Sequence, residues 1–203
     1  MGTNIDGESE QAKLGEHALA MSADGTRLIA GAFAYTSESK SQRGRVRVYE
    51  FLNGDWQPLG SAIDGENAGD WLGRYGVSMS ADGTRVAISS IKSDDGGTDS
   101  GRLRLYEYDE TVSDWVQMDP DIYGLTAGEK FGNSAILSGD GYRVAAAARQ
   151  KTINGSLKTG QVRAFQFPRP PPPPPPPPLP PCTCCETMAM DFGFTTSRAC
   201  APQ

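Results

Sequence analysis

"MSADGTR" occupies residues 21–27 and returns letter for letter at residues 79–85, 58 positions later. A chain that spells one short turn twice at a fixed spacing is repeating a structural unit, and the flanking residues keep the same spacing. "GTNIDGE" (2–8) matches "GSAIDGE" (60–66). Leu14-Gly15, Leu72-Gly73 and Phe131-Gly132 each open a short apolar stretch that ends at Asp24-Gly25, Asp82-Gly83 or Asp140-Gly141. Next come "RLIAGAF", "RVAISSI" and "RVAAAAR", and after a polar loop "GRVRVYEF" (44–51), "GRLRLYEY" (101–108) and "GQVRAFQF" (160–167). Trp56 and Trp115 follow in the first two units, and the third unit reaches Phe167 without a counterpart. The period is 57–59 residues throughout.

Each unit reads as four short strands. "GRVRVYEF" alternates residue types and is rich in β-branched and aromatic side chains, which is a strand pattern. "SADGT" is a hairpin turn, because Asp hydrogen-bonds its own following backbone and Gly supplies the positive φ. The second strands carry small or apolar residues on both faces, such as Ala30, Gly31 and Ala32, as a sheet covered on both sides requires. No segment shows helical periodicity. The expected fold is all-β: about three four-stranded antiparallel blades of a partial β-propeller, at roughly residues 9–66, 67–125 and 126–167 within 2–167.

"LGEHALAMSADGTRLIAGAF" (14–33) resembles the FG-GAP type of repeat that builds the integrin-α propeller, in a short-loop tandem form, over residues 2 to about 167. The positions that carry the likeness are Gly15, Asp24 and Gly25, Gly73, Asp82 and Gly83, and Gly132, Asp140 and Gly141. The resemblance implies recognition of a protein or glycan partner. It does not bring calcium with it. The family's calcium loop is longer and rich in Asp and Asn, whereas each turn here has one carboxylate, and calcium takes about 6–8 oxygens. No metal and no cofactor is expected.

Closed propellers have about four or more blades, so three leave two apolar faces open. The start inside a repeat favours a piece of a longer propeller. Self-association through the open faces, and an open stack, are the other two readings.

Net charge is -6, and the 19 Lys and Arg are spread rather than clustered, which argues against nucleic acid and anionic membrane surfaces as partners. No apolar run approaches the roughly 20 residues of a spanning helix. "MGTNIDGESEQAK" lacks the basic and apolar regions of a signal peptide. An extracellular or cell-surface place is therefore expected only of a longer parent.

Nucleophilic catalysis would have to be built on His17, the only histidine. Tyr75 and Ser134 stand near the equivalent place, which makes His17 an ordinary strand residue, and no phosphate loop or H-E-x-x-H motif is present. The expectation is that the chain is not an enzyme. Arg45, Arg47, Arg102, Arg104 and Arg163 recur beside Tyr49, Tyr106 and Phe165, and are read as inter-blade ion pairs with aromatic packing. Trp56 and Trp115 are read as packing residues. Asp94, Asp95 and Asp99 lack the alternation of a calcium loop. Asn154-Gly155-Ser156 is an N-glycosylation sequon.

Twelve prolines fall between Pro168 and Pro181, nine of them consecutive at 170–178. Such a run adopts an extended left-handed helix of about 43 Å at ~3.1 Å per residue. It is read as a linker over 168–181, a stiff stalk. Alternatively, Arg169 with Pro172 and Pro175 gives a docking spacing for profilin or a Pro-rich-peptide-binding module, and the chain would be an intracellular adaptor. Beyond it, at 182–203, lies a tail expected to be poorly ordered, with Cys182, Cys184, Cys185 and Cys200 as disulfide candidates.

Overall fold

The computed structural model describes residues 2–118 and 120–169. The predicted polyproline helix, and the docking and cysteine positions at 172, 175, 182, 184, 185 and 200, lie outside them. Among the described residues every regular element is a strand. The first blade holds β1 (Leu14–Met21), β2 (Arg27–Ala32), β3 (Arg45–Leu52), β4 (Asp55–Pro58) and β5 (Ile63–Asp64). The second holds β6 (Leu72–Met79), β7 (Arg85–Ser90), β8 (Arg102–Asp109), β9 (Asp114–Gln117) and β10 (Ile122–Tyr123). The third holds β11 (Phe131–Leu137), β12 (Arg143–Ala148) and β13 (Gln161–Gln166).

All pairings are antiparallel, and the three sheets have five, five and three strands. The fourth strand expected in each of the first two units is broken in two. In the first blade β4 pairs the end of β3 and β5 pairs its beginning, with Gly60–Ala62 leaving the ladder between them. The third blade has no fourth strand among the described residues, so the outer edge of β13 is unpaired. The Leu/Phe-Gly motif marks a bulge, since the β1–β2, β6–β7 and β11–β12 registers each shift just after it.

Stacking makes the core. One apolar cluster joins the first two blades through Ile29, Val46, Val48, Val77, Met79 and Ile88. A second joins the next two through Leu103, Leu105, Phe131, Leu137, Val144 and Ala146. Burying each Val, Leu or Ile contributes about 1.5–3 kcal/mol, so the interfaces, not the isolated sheets, hold the molecule. At the centre of the first interface a Cβ on Gly31 would collide with the carbonyl of Gly73. The small residues of the second strands exist to let backbones approach this closely.

The repeated turn is the other half of the interface. Ser22 Oγ donates to Asp24 Oδ1 (2.6 Å), and Asp24 Oδ1 accepts from the Thr26 amide (3.0 Å). Ser80, Asp82 and Thr84 repeat this set. Successive turns are then linked to one another. Ala23 N–H donates to Ala81 O, and Ala81 N–H donates to Gly139 O, both at 2.8 Å. Arg27 lies across the next turn, donating to Gly83 O (3.3 Å), and Arg85 repeats this on Asp140 O (3.4 Å). Each arginine is also anchored in its own blade, by Glu50 and Glu107 respectively.

These contacts separate two chemically identical glycines. Gly25 (φ 74°) and Gly83 (φ 69°) have the same left-handed backbone, but a Cβ on Gly25 meets only Met21 Sδ at 3.8 Å. On Gly83 it would press on Arg27 Cδ at 2.7 Å. Gly25→Ala is expected to cost about 1 kcal/mol of backbone strain, and Gly83→Ala about 1–2 kcal/mol more. Equal losses in urea melts of the two variants would refute the contact.

Candidate functional site

The strands end on two opposite rims. One carries the repeated turns, whose residues change little from blade to blade. The other carries the long loops 33–44, 91–101 and 149–160 together with the connections 65–71 and 124–130. Loops on a rigid scaffold are where binding residues concentrate. On this rim, equivalent positions hold different chemistry in each blade: Glu16 and His17, then Arg74 and Tyr75, then Asn133 and Ser134.

The Arg pairs stand at the junctions between blades. Arg102 is 1% exposed and reaches Glu66 (2.7 Å), Asp95 (2.8 Å) and Asp70 (3.4 Å). Arg104 forks onto both oxygens of Asp121 at 2.8 Å and also binds Glu66. Glu66 belongs to the connection between the first two blades, so the arginines tie that connection to β8. In the first blade Glu8 and Asp64 hold Arg45 in the same way, and Glu8 also holds Arg47. This is structural charge, committed on all sides.

Burial works to raise the Glu66 and Asp121 carboxyls, but the hydrogen bonds and charge of Arg102 and Arg104 outweigh it and hold both below their ordinary values. Glu8 is held low in the same manner by Arg47 and Arg45. Asp24 is lowered to about 2, first by Ser22 Oγ and then by the Thr26 amide. Asp70 runs the other way, raised by burial.

Arg163, the third-blade counterpart of Arg104, has no carboxylate partner among the described residues. Leu125 stands where Glu66 does in the preceding connection, and Arg163 instead donates to Tyr123 O (2.6 Å) and stacks on Phe131 at 3.8 Å. Beside it an open cleft of about 770 Å³ runs along the free edge of β13, lined by Tyr123, Leu125, Phe165 and Phe167.

The remaining sequence candidates are placed as follows. Trp115 is buried and its Nε1 donates to Leu59 O (2.8 Å), while Trp56 packs on Phe51 at 5.2 Å. Asp95 is held by Ser93 Oγ as well as Arg102, and Asp94 accepts from the Asp99 amide (2.8 Å). Among the described residues no group of acidic, His or Cys side chains is arranged to hold a metal. Asn154 is exposed at a tight turn bracketed by the Ile153–Ser156 bridge. Arg169 is ion-paired with Asp140, an engagement that any docking partner at Arg169 has to break. His17 is exposed, 3.0 Å from Glu16, with its ring stacked on Tyr75 at 4.9 Å.

Sequence reading missed one cluster. Arg74 lies over Trp71 (4.1 Å), Phe33 (4.5 Å) and Tyr75 (5.0 Å), and Lys92 lies over Trp71 at 3.8 Å. Arg74 forms no hydrogen bond or ion pair among the described residues, and its Nε is buried without a partner. Lys92 Nζ forms no ion pair there either. A signal was present in the sequence: Trp71, Arg74 and Lys92 occupy repeat positions that hold Lys13, Glu16 and Ala34 one unit earlier. Such departures from a repeat mark what the scaffold itself does not need.

No family model matches the chain, and no curated protein matches it in sequence. Its structure is similar to hydrazine synthase from Kuenenia stuttgartiensis, with 14% identity and a TM-score of 0.42, over 74% of this chain and 45% of that one. It is similar also to a putative 6-phosphogluconolactonase from Bacteroides fragilis (14% identity, TM-score 0.41, 73% and 38%). A third similar structure is the Dos1 propeller (14%, TM-score 0.36, 65% and 29%). The chain thus spans less than half of each of these chains. The expectation that it is not an enzyme is corrected here, because two of the three are named as enzymes. A propeller-like scaffold can carry catalytic groups on its rim loops, so the fold does not exclude catalysis, and likeness at this level does not show it.

The charge balance predicts acid lability. Glu8, Glu66, Asp121 and Asp24 have lowered folded values, so their stabilisation is complete above the ordinary 3.8–4.5 and is lost as pH falls through it. Asp70 alone among these opposes the trend, its contribution being lost as pH rises. The melting midpoint is expected to stay level from pH 7 to about 5 and to drop below about 4.5. A flat midpoint down to pH 3 in scanning calorimetry would remove these ion pairs from the account of stability.

Proposed function

We propose that this chain is a binding protein built on FG-GAP-type repeats, and that its loop rim at the first blade junction receives an anionic group of a protein or glycan partner. The observation that carries the reading is Arg74. A guanidinium held by three aromatic rings, with no ion-pair partner among the described residues, keeps its terminal N–H donors in a fixed fork suited to a carboxylate or sulfate. Lys92, over the same Trp71 ring at 3.8 Å, adds a second charge. Stacking on rigid rings fixes the arginine before binding, which lowers the ordering cost of recognition. The overall charge of -6 sharpens the contrast of this patch with the rest of the surface.

The test is a binding screen in low salt against carboxylated and sulfated oligosaccharides, their neutral counterparts, and acidic peptides. Ligands bearing anionic groups are expected to bind, with affinity falling as salt rises. Arg74→Ala or Lys92→Ala is expected to weaken the best ligand by about tenfold or more, and Lys158→Ala on the third-blade loop to leave it unchanged. Retention of neutral ligands alone, or binding indifferent to Arg74 and Lys92, would end the proposal.

A further inference from the structure

The two internal blade interfaces are built alike, and each free end of the stack carries one half of that same interface. The third blade has the donor half. Gly139 N–H corresponds to the Ala23 and Ala81 amides that donate to the next turn, and among the described residues it has no acceptor. Arg143 corresponds to Arg27 and Arg85, but it is exposed and, among the described residues, donates only to the neutral Gln166, at 3.5 Å, with Asp140 of its own turn near enough to feel its charge. The first blade has the acceptor half. Ala23 O and Gly25 O correspond to the Ala81 and Gly83 carbonyls that accept across the first interface, and neither receives a hydrogen bond among the described residues.

The apolar surfaces divide in the same way. Leu19 and Met21 on β1 are 58% and 53% exposed, whereas Val77 and Met79 at the same places on β6 are each 8% exposed, under the first blade. Val162 on β13 is 70% exposed, whereas its counterpart Leu103 is fully buried under the third blade. A hollow of about 240 Å³ between Ile136, Val144, Ala145 and Ala164 lies open on this face.

The strand edges complete the match. Residues 60–66 bridge two blades: Ile63 and Asp64 pair with Val46 and Arg45 of β3, while Ser61 donates to Asp114 (2.7 Å) of the next blade. Residues 2–8, their repeat, make only the second set of contacts. Thr3 N–H donates to Asp55 (2.8 Å), and Glu8 holds Arg45 and Arg47. Among the described residues Ile5 and Asp6 pair with no strand, and neither does the outer edge of β13.

We infer that two copies of this chain associate head to tail, the third blade of one stacking on the first blade of the other. Residues 4–6 of one copy then extend the free β13 edge of its partner, in the register by which β5 extends β3. In that register Asp6 lies opposite Gln161, one pair along the same face from Arg163, which has no carboxylate partner among the described residues. The interface is heterologous, each copy contributing a different face, and it closes into a ring if the blade rotation allows.

The experiment is light scattering of the full chain in reducing buffer, so that cysteines cannot link copies, over a dilution series. Wild type is expected to run at twice the mass of one chain or above, and to dissociate on dilution. Leu19→Glu spoils only the first-blade face and Val162→Glu only the third-blade face. Both positions are exposed, so circular dichroism and the melting midpoint of the monomer verify folding. Each variant alone is expected to dissociate at least about tenfold more readily. An equimolar mixture is expected to recover a two-chain species, because one intact face of each kind remains. A wild type that stays at the mass of one chain up to about 100 μM overturns the inference. So does a mixture that fails to recover, or association untouched by either variant. Arg74→Ala leaves the mass unchanged, so failure here and failure of the binding proposal are separately visible.

Discussion

Close backbone approach between stacked sheets is the constraint on which the rest of this structure depends. A sheet with apolar residues on both faces gains little by itself, because it must be covered twice. Here the cover is another sheet of the same kind, and the distance between them is set by glycine and small side chains at Gly31 and Gly73. Side chains of ordinary size would hold the blades apart, empty the cluster around Val46, Val77 and Ile88, and break the hydrogen bonds between successive turns.

Those turn-to-turn bonds explain why "SADGTR" is repeated so faithfully. Within one blade a hairpin turn tolerates several sequences. Between blades, the same turn must present a donor on one side and an acceptor on the other, and its arginine must reach a backbone carbonyl of the next turn. A residue that serves as both halves of a contact cannot drift without breaking the match with its copy. The junction arginines follow the same logic at the opposite rim. Arg102 is buried among Glu66, Asp70, Asp95 and Asp121. It neutralises a connection that would otherwise bring several carboxylates together unpaired.

Against this repeated frame, the proposed binding role rests on residues where the repeat is broken. Arg74, Trp71 and Lys92 depart from their counterparts and assemble on one rim, and Arg163 sits beside Leu125 where a carboxylate stands in the preceding junction. Trp115 is buried, and Arg45, Arg47, Arg102 and Arg104 have carboxylate partners, whereas Arg163, expected to pair like them, has none among the described residues. The split of the fourth strand was not legible. "DWQPLGSAID" carries Pro58 and Gly60, the latter at φ 71°, but neither says that the strand resumes on the far end of β3, which depends on the crossing to the next blade.

Period, strand patterns and turn residues are local properties, so the sequence by itself determined that this chain is all-β, that its unit recurs every 57–59 residues, and where each hairpin turns. It could not show which unlike residues meet. Phe33, Trp71, Arg74 and Lys92 lie up to 59 positions apart and on two blades. Whether they touch depends on the lateral offset at which one sheet stacks on the next. That offset is decided by glycine contacts, the apolar cluster and the turn-to-turn bonds acting together, which exist only once the tertiary structure has formed.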